Sequence, residues 1–229
     1  MNIEVTPVND GEVLLVNKPL TWTSTDVVRK LKGILKVKKI GHAGTLDPLA
    51  TGLLIICTGK KTKTIPFLQE EEKEYTGTFY LGATTPSFDK ETEHDSTFDI
   101  SGISNEQILE AVEKLKGHQL QTPPMFSAVK VNGKRAYAIA RQGETVELKS
   151  KPIEIKEFEI SRIELPEIDF RIVCTKGTYI RSIARDLGVL LQNGAYLTKL
   201  VRTRIGSHLL SEASEIESFK SKIDEQAKQ

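Results

Sequence analysis

Cysteine, histidine and long apolar runs are scarce in this chain of 229 residues. The two cysteines, Cys57 and Cys174, form no Cys-x-x-Cys pair, and the four histidines are scattered. The sequence therefore predicts no disulfide framework, no metal site and a reducing compartment. It contains no apolar run of roughly 18 residues, so we expect no membrane span. Residues 1–11 lack the basic start and apolar stretch of a secretory signal, which leads us to expect a cytoplasmic protein.

Positive and negative charges almost balance each other, and the formal net charge is +1. The distribution is uneven, because residues 29–39 contain six cations and no acid, and Lys199, Arg202 and Arg204 cluster later in the chain. Segregated basic surfaces of this kind can hold phosphates even on a neutral protein. The alternative, that these runs are ordinary solvated surfaces, stays open on charge alone.

Hydrophobic periodicity predicts strands interspersed with helices. A capping residue at Thr23 or Ser24 precedes one helical stripe, and Ser104 with Gln107 forms a capping box before another. A third amphipathic helix is predicted over 179–191, and a slip in the alternation between Ile155 and Phe158 indicates a β-bulge. The strands are predicted at 12–17, 53–57, 75–81, 153–160, 168–174 and 197–205. We expect an α+β fold with a mixed, mostly antiparallel central sheet flanked by helices.

Three further segments have weaker signals. Residues 83–101 are polar, acidic and without period, and are predicted to form an exposed loop. Asn132-Gly133 predicts either a hairpin or a turn that leads into a short helix over 135–141. We expect one domain over residues 1–210 and a charged tail over 211–229, helical in propensity but frayed.

One run of fourteen residues, 41–54, holds three glycines, one proline and a single carboxylate, Asp47. Glycine and proline at this density indicate a fixed loop geometry. A carboxylate on such a loop can act as a nucleophile or a general base. The alternative is an ordinary turn residue, because Asp-Pro is a common turn dipeptide.

Three other side chains are candidates for the same site, each with a structural alternative. His42 is either a base or stacking group, or a plain loop histidine. Tyr75 either stacks on a nucleobase or is a half-buried strand aromatic. Arg181, at the start of the third helix, either leans over a site there or pairs with a neighbour such as Asp186 on the surface.

Five motifs, taken together and in order, resemble those of the TruB family of pseudouridine synthases. The run 41–54 resembles the active-site loop of that family. The other four motifs are residues 16–19 with Trp22-Thr23-Ser24, residues 123–141, residues 176–181 and residues 200–206.

The resemblance implies the pseudouridine synthase fold and an isomerase that converts a uridine in the T-loop of tRNA, conventionally uridine 55, to pseudouridine. It implies no cofactor and no metal. Asp47 would be the catalytic nucleophile or base, and Arg181 would pair with its carboxylate. Tyr75 would stack on the flipped base, and a pocket for that base would be formed by His42, Tyr179 and Leu200.

The basic segments would then contact the phosphates of tRNA. The residues assigned to this role are Lys36, Lys38, Lys39, Arg202 and Arg204. The expected partner is the T-arm of tRNA, with no membrane, no required protein partner and a monomeric state. Many bacterial members continue with an RNA-binding PUA domain, and the tail at 211–229 is too short for one. The alternative function is a tRNA-folding chaperone without catalysis.

Overall fold

The computed structural model of the protein describes residues 10–131 and 133–226, and side chains as far as Ser221. These residues form two compact units: the first comprises residues 10–74 and 201–226, and the second comprises Tyr75–Leu200. No helix in the described ranges is long and apolar enough to cross a membrane.

The strands and helices follow each other in the mixed order that the periodicity predicts. The strands are β1 (Val13–Lys18), β2 (Ile40–His42), β3 (Ala50–Thr58), β4 (Lys73–Leu81), β5 (Ala83–Thr84), β6 (Ser96–Thr97), β7 (Gly117–Gln121), β8 (Lys130–Val131), β9 (Lys134–Arg135), β10 (Lys151–Glu164), β11 (Glu167–Cys174), β12 (Ala195–Ile205) and β13 (His208–Leu209). The helices are α1 (Ser24–Leu35), α2 (Ile65–Glu70), α3 (Asn105–Lys114), α4 (Ala136–Ala140), α5 (Ile180–Leu190) and α6 (Ile216–Gln226).

The first unit is built on antiparallel strands β1 and β3, which pair from Val13 opposite Cys57 to Lys18 opposite Gly52. β2 pairs with the far end of β3, and β13 pairs with the end of β12. Helix α1 begins after Thr23, whose side chain accepts from the backbone N–H of Asp26 while the Asp26 carboxylate bonds back to Thr23. This capping box confirms the predicted helix start.

The C-terminal segment departs from the frayed tail that the sequence suggested. Ile216 and Phe219 of α6 are buried in one core cluster with Val27 and Leu31 of α1. The segment is rich in charged residues, but Ile216 and Phe219 form a short apolar stripe that packs against α1. The expectation of fraying is therefore wrong for this part of α6, while the division at residue 210 stays a prediction.

The second unit is built on the antiparallel pair β10 and β11, with β7 on the other side of β10. The register of β10 against β11 shifts between Ile155 and Glu157, which confirms the predicted bulge. The capping box at Ser104 and Gln107 is present at the start of α3. In both units the pairs β1–β3, β2–β3, β12–β13, β10–β11 and β7–β10 are antiparallel, so the predicted α+β class is confirmed.

Two of the segments with weaker sequence signals, residues 83–101 and the region around residue 133, differ from what was predicted. The segment 83–101 is not wholly exposed, because Thr85, Ser87 and Asp89 are buried and short strands β5 and β6 pair. Around residue 133, hairpin and helix are both present: β8 pairs with β9, and α4 follows directly. Asn132 itself lies outside the described residues.

Candidate active site

The loop that carries Asp47 is anchored at the residues on either side of it. The backbone N–H of Leu46 donates to Oγ of Ser24 over 2.9 Å, and the same hydroxyl donates to the Leu46 carbonyl over 3.3 Å. The carbonyl of Pro48 accepts from the backbone N–H of Thr21 over 2.9 Å. The carbonyl of Asp47 accepts from the N–H of Ala50, which closes a turn. The half-buried carboxylate is thus carried on a backbone with little freedom.

Two glycines permit this geometry. Gly44 and Gly52 have φ angles of 96° and 102°, in the left-handed region that favours glycine. At Gly52 the backbone of Arg202 is so close that an added Cβ would lie 2.4 Å from its carbonyl oxygen. The sequence signal for a rigid loop was therefore correct, and the close approach at Gly52 is to the protein's own last long strand.

Arg202 of β12 is not a surface residue. Only 1% of it is exposed. Its Nε donates to the carbonyl of Leu53 over 2.8 Å, and its Nη2 donates to the carbonyl of Gly44 over 3.1 Å. A guanidinium that is buried and bonded to main-chain carbonyls cannot contact a phosphate from solvent. The assignment of Arg202 to phosphate binding is therefore wrong for this structure.

Arg204 lies two residues further along the same strand and is half-buried. Its Nη1 is 2.7 Å from a carboxylate oxygen of Glu72, and its Nε is 3.8 Å from one of Glu74. The assignment of this paired arginine to phosphate binding stays a prediction. By contrast, Lys36, Lys38 and Lys39 are all exposed.

Lys18 is a site residue that sequence reasoning missed. It is fully buried, and its Nζ donates to the carbonyls of Trp22 over 2.6 Å, Pro19 over 2.9 Å and Pro48 over 3.4 Å. Burial lowers the pKa of Lys18 to about 8, although the negative charge of Asp47 opposes that shift. The available signal was a lysine that ends an apolar strand within a family motif.

His42 ends β2, opposite Ile56 of β3, five residues before Asp47. Its ring is half-buried, and burial lowers its pKa, with a further contribution from the positive charge of Arg202. His42 therefore favours the neutral imidazole at neutral pH, which suits a shape-forming or stacking group better than a permanent cation.

In the second unit, Arg181 is 3% exposed in the first turn of α5. It donates from Nη1 to the carbonyl of Ser87 over 3.0 Å and from Nη2 to that of Phe126 over 2.9 Å. Its Nε lies 3.5 Å from Oδ2 of Asp89, which is also buried and accepts from Oγ of Ser87 over 2.6 Å. The surface pairing with Asp186 belongs instead to Arg185. Sequence reasoning missed Asp89, because it lies in the segment predicted to be exposed.

The other predicted residues of the second unit are held by regular structure. Tyr179 caps α5, and its backbone N–H and carbonyl bond to the side-chain amide of Gln121 over 2.8 Å and 3.2 Å. Tyr75 on β4 and Leu200 on β12 are 9% and 8% exposed. Strands therefore fix the positions of Tyr75 and Leu200, and the start of α5 fixes that of Tyr179.

The chemistry available at the Asp47 loop is that of a single carboxylate. The negative charge of Asp47 raises the pKa of the buried Lys18 against the effect of burial, so these two groups interact electrostatically. In the described ranges no group of three or more His, Cys, Asp and Glu side chains is arranged to hold a metal ion. An anchored carboxylate of this type can attack a carbon or accept a proton.

Comparison with solved structures identifies the class of fold. The chain matches one in the archaeal box H/ACA sRNP Nop10-Cbf5 complex with a TM-score of 0.69 and 23% identity, over 93% of this chain and 54% of that one. It matches one in a Cbf5-Nop10-Gar1 complex with a TM-score of 0.70 and 26% identity, over 92% and 53%. The protein thus shares an α+β fold with ribonucleoprotein subunits, and spans about half the length of those chains.

Sequence comparison defines the family. The tRNA pseudouridine synthase B of Flavobacterium johnsoniae is 54% identical over 93% of this chain and 96% of the relative. That of Phocaeicola vulgatus is 53% identical over 95% of each chain. The family described as TruB family pseudouridylate synthase (N terminal domain) matches residues 32–180. The chain therefore belongs to the TruB family, as its motifs indicated.

Proposed function

We propose that this protein isomerises a uridine in the T-loop of tRNA, conventionally uridine 55, to pseudouridine, with Asp47 as the catalytic carboxylate. The observation that carries the proposal is the anchoring of the Asp47 loop through Leu46 and Pro48. A fixed carboxylate is what a reaction at one sugar carbon requires. Relatives of at least 53% identity that bear the name tRNA pseudouridine synthase B support the reaction and the substrate class.

The proposed reaction leaves the elemental composition of the nucleotide unchanged. The N1–C1′ bond of uridine breaks, the uracil turns, and a C5–C1′ bond forms. The proton of C5 is then lost, and N1 gains one. Asp47 either attacks the sugar or removes its 2′ proton, and both routes return the carboxylate unchanged. A base within a folded loop must first be flipped out of its stack.

The remaining site residues take the roles that the family motifs imply. Arg181 is proposed to hold the Asp47 carboxylate ionised, and Tyr75 to stack on the flipped base. The shape of the base pocket is assigned to His42, Tyr179 and Leu200. The support for the role of Arg181 is its place in the motif over residues 176–181.

The tRNA partner is proposed to contact the exposed lysines at the end of α1. Lys36, Lys38 and Lys39 carry three cations within four residues, and the carbonyl of Lys39 accepts from the N–H of Gly59, next to exposed Lys60 and Lys61. Cations from two segments thus form one basic surface, which suits a phosphate backbone. We propose further that the enzyme acts as a monomer in the cytoplasm, where its substrate is.

The test is tritium release from a tRNA transcript labelled at C5 of uridine, because pseudouridine formation liberates that hydrogen. We expect stoichiometric release of one tritium from the T-loop site, and none from a transcript in which that uridine is replaced by cytidine. Release from neither transcript, with tight binding of both, would identify a tRNA-folding chaperone instead. Equal release from both transcripts would show that the T-loop site is wrong.

A further inference from the structure

Arg202 contacts the Asp47 loop at both of its ends. Before Asp47, its guanidinium donates to the carbonyl of Gly44 over 3.1 Å and approaches that of Thr45 at 3.5 Å. After Asp47, it donates to the carbonyl of Leu53 over 2.8 Å. These three carbonyls belong to residues 44–53, so one side chain connects the entry and the exit of the loop.

The main chain of Arg202 makes a second, independent contact with the same loop. The backbone at Gly52 approaches it so closely that a Cβ there would lie 2.4 Å from the Arg202 oxygen and 2.7 Å from its nitrogen. Both the backbone and the side chain of Arg202 therefore hold the loop against β12. A single side chain thus bonds to Gly44, Thr45 and Leu53.

Arginine is the side chain that this arrangement requires. Its planar fork presents five N–H groups in fixed directions, so it can reach carbonyls that face it from different sides. A lysine in the same place has one nitrogen on a flexible stem, whereas Nε, Nη1 and Nη2 of Arg202 each reach a different carbonyl. The guanidinium is also almost fully removed from water, which makes each lost bond costly.

We propose that Arg202 is a positioning residue that fixes the Asp47 carboxylate for the reaction, and that it does not contact tRNA phosphate. This inference rests on the proposed function, in which Asp47 reacts. Loss of the guanidinium fork lets the loop shift while the base pocket and the RNA-binding surface persist. A displacement on the order of 1 Å costs about a hundredfold in rate when a reactive group must be aligned.

The experiment compares wild type with Arg202→Lys and Arg202→Gln in single-turnover reactions on the tRNA transcript. We expect the rate at saturating enzyme to fall by about 10- to 100-fold while the Kd for tRNA stays within about twofold. A phosphate contact would give the opposite pattern, in which the Kd rises and the saturated rate is kept. Ile216→Ala is the matched control, because Ile216 is buried in the same unit but in a different core cluster from Ala43 and Leu53 of the loop.

Hydrogen exchange measured by mass spectrometry supplies a readout that does not depend on activity. In Arg202→Lys, we expect faster exchange in peptides over residues 43–50, and unchanged exchange in β10 and β11. Ile216→Ala should lower the Tm at least as much, yet keep the saturated rate and the protection of residues 43–50. If wild type proves inactive, the exchange result still tests the loop contact separately from the proposed function.

Three results would overturn the inference. One is a saturated rate within about threefold of wild type in both folded Arg202 variants. Another is a rate loss that Ile216→Ala reproduces at equal loss of stability. The third is failure of both Arg202 variants to fold, which would show that Arg202 supports the whole unit and not the loop.

Discussion

The hydroxyl of Ser24, the first residue of α1, bonds to both backbone groups of Leu46, the residue before Asp47. It accepts from the Leu46 N–H over 2.9 Å and donates to the Leu46 carbonyl over 3.3 Å. The helix start and the Asp47 loop are joined by this one oxygen, across 22 residues of sequence. The first residue of α1 is therefore bonded directly to the residue that precedes the Asp47 carboxylate.

Ser24→Ala should destabilise the protein and slow the reaction. Both backbone groups of Leu46 are buried and lose their partner, which costs about 1–3 kcal/mol in the free energy of unfolding. Urea unfolding and the single-turnover rate measure the two effects. Thr25→Ala is the control, since Thr25 is the exposed neighbour and should change stability by no more than about 0.5 kcal/mol. Equal behaviour of the two variants would show that the Ser24 bonds are unimportant.

The charge of Lys18 should give the reaction a pH dependence. Because its pKa is lowered to about 8, Lys18 is cationic below that pH and neutral above it. Its deprotonation removes positive charge near Asp47, so we expect the saturated rate to fall as the pH rises through 8. Lys18→Arg keeps its charge over this range and, relative to its own maximum, should not show that fall. If the normalised pH–rate profiles of wild type and Lys18→Arg superimpose, the role of Lys18 is contradicted.

Reversal of the charge of the exposed lysines at the end of α1 should weaken tRNA binding without changing the saturated rate. Changing Lys36, Lys38 and Lys39 to glutamate removes up to three phosphate contacts, and the slope of log affinity against log salt should decrease by about one for each. Filter binding between low and moderate salt measures this slope. The same change at three exposed lysines of the second unit, Lys114, Lys149 and Lys151, should leave it unaltered. An equal slope in both triple variants would show that the α1 lysines are only solvated.

The buried pair of Arg181 and Asp89 should be needed for stability of the second unit. Asp89→Asn leaves the Arg181 guanidinium without the carboxylate that lies 3.5 Å away, and the expected cost is about 3 kcal/mol in the free energy of unfolding. Glu93→Gln is the control, because Glu93 is an exposed acid of the same segment. Comparable urea midpoints for the two variants would show that the pair contributes little.

Local signals in the sequence predicted the regular elements well. The capping residues Thr23 and Ser104 mark the helix starts because their side chains satisfy free N–H groups of the first turn. The slip between Ile155 and Phe158 indicates the bulge because alternation records which face of a strand is buried. Both signals lie within a few residues of the feature that they predict.

Contacts between distant segments were not predictable in the same way. The burial of Arg202 depends on carbonyls about 150 residues earlier, and a basic strand gives no sign that its guanidinium points inward. Asp89 was missed because a buried ion pair and a solvated acidic loop have the same composition. Lys18 was missed because its partners are carbonyls, which every residue has.

The family motifs contributed what local chemistry left open. Asp47 alone was compatible with a turn residue, and Asp-Pro does form a turn here, closed by the Ala50 N–H. The turn and the proposed catalytic role are therefore not alternatives, because a residue within a turn can still carry a reactive carboxylate. The phosphate assignment of Arg202 came from grouping cations by sequence, which ignores the direction of their side chains.

The replacement of Asp47 by asparagine tests the central claim most directly. Asp47→Asn keeps the shape of the side chain and removes its basicity and nucleophilicity, whereas Asp99→Asn makes the same change at an exposed aspartate. The measurement is tritium release from the C5-labelled tRNA transcript at saturating enzyme, with the tRNA Kd determined in parallel. We predict that Asp47→Asn binds tRNA as wild type does and releases tritium at least about 10²–10⁴-fold more slowly, while Asp99→Asn releases it normally. Release by Asp47→Asn at the wild-type rate would contradict the assignment of Asp47 as the catalytic residue.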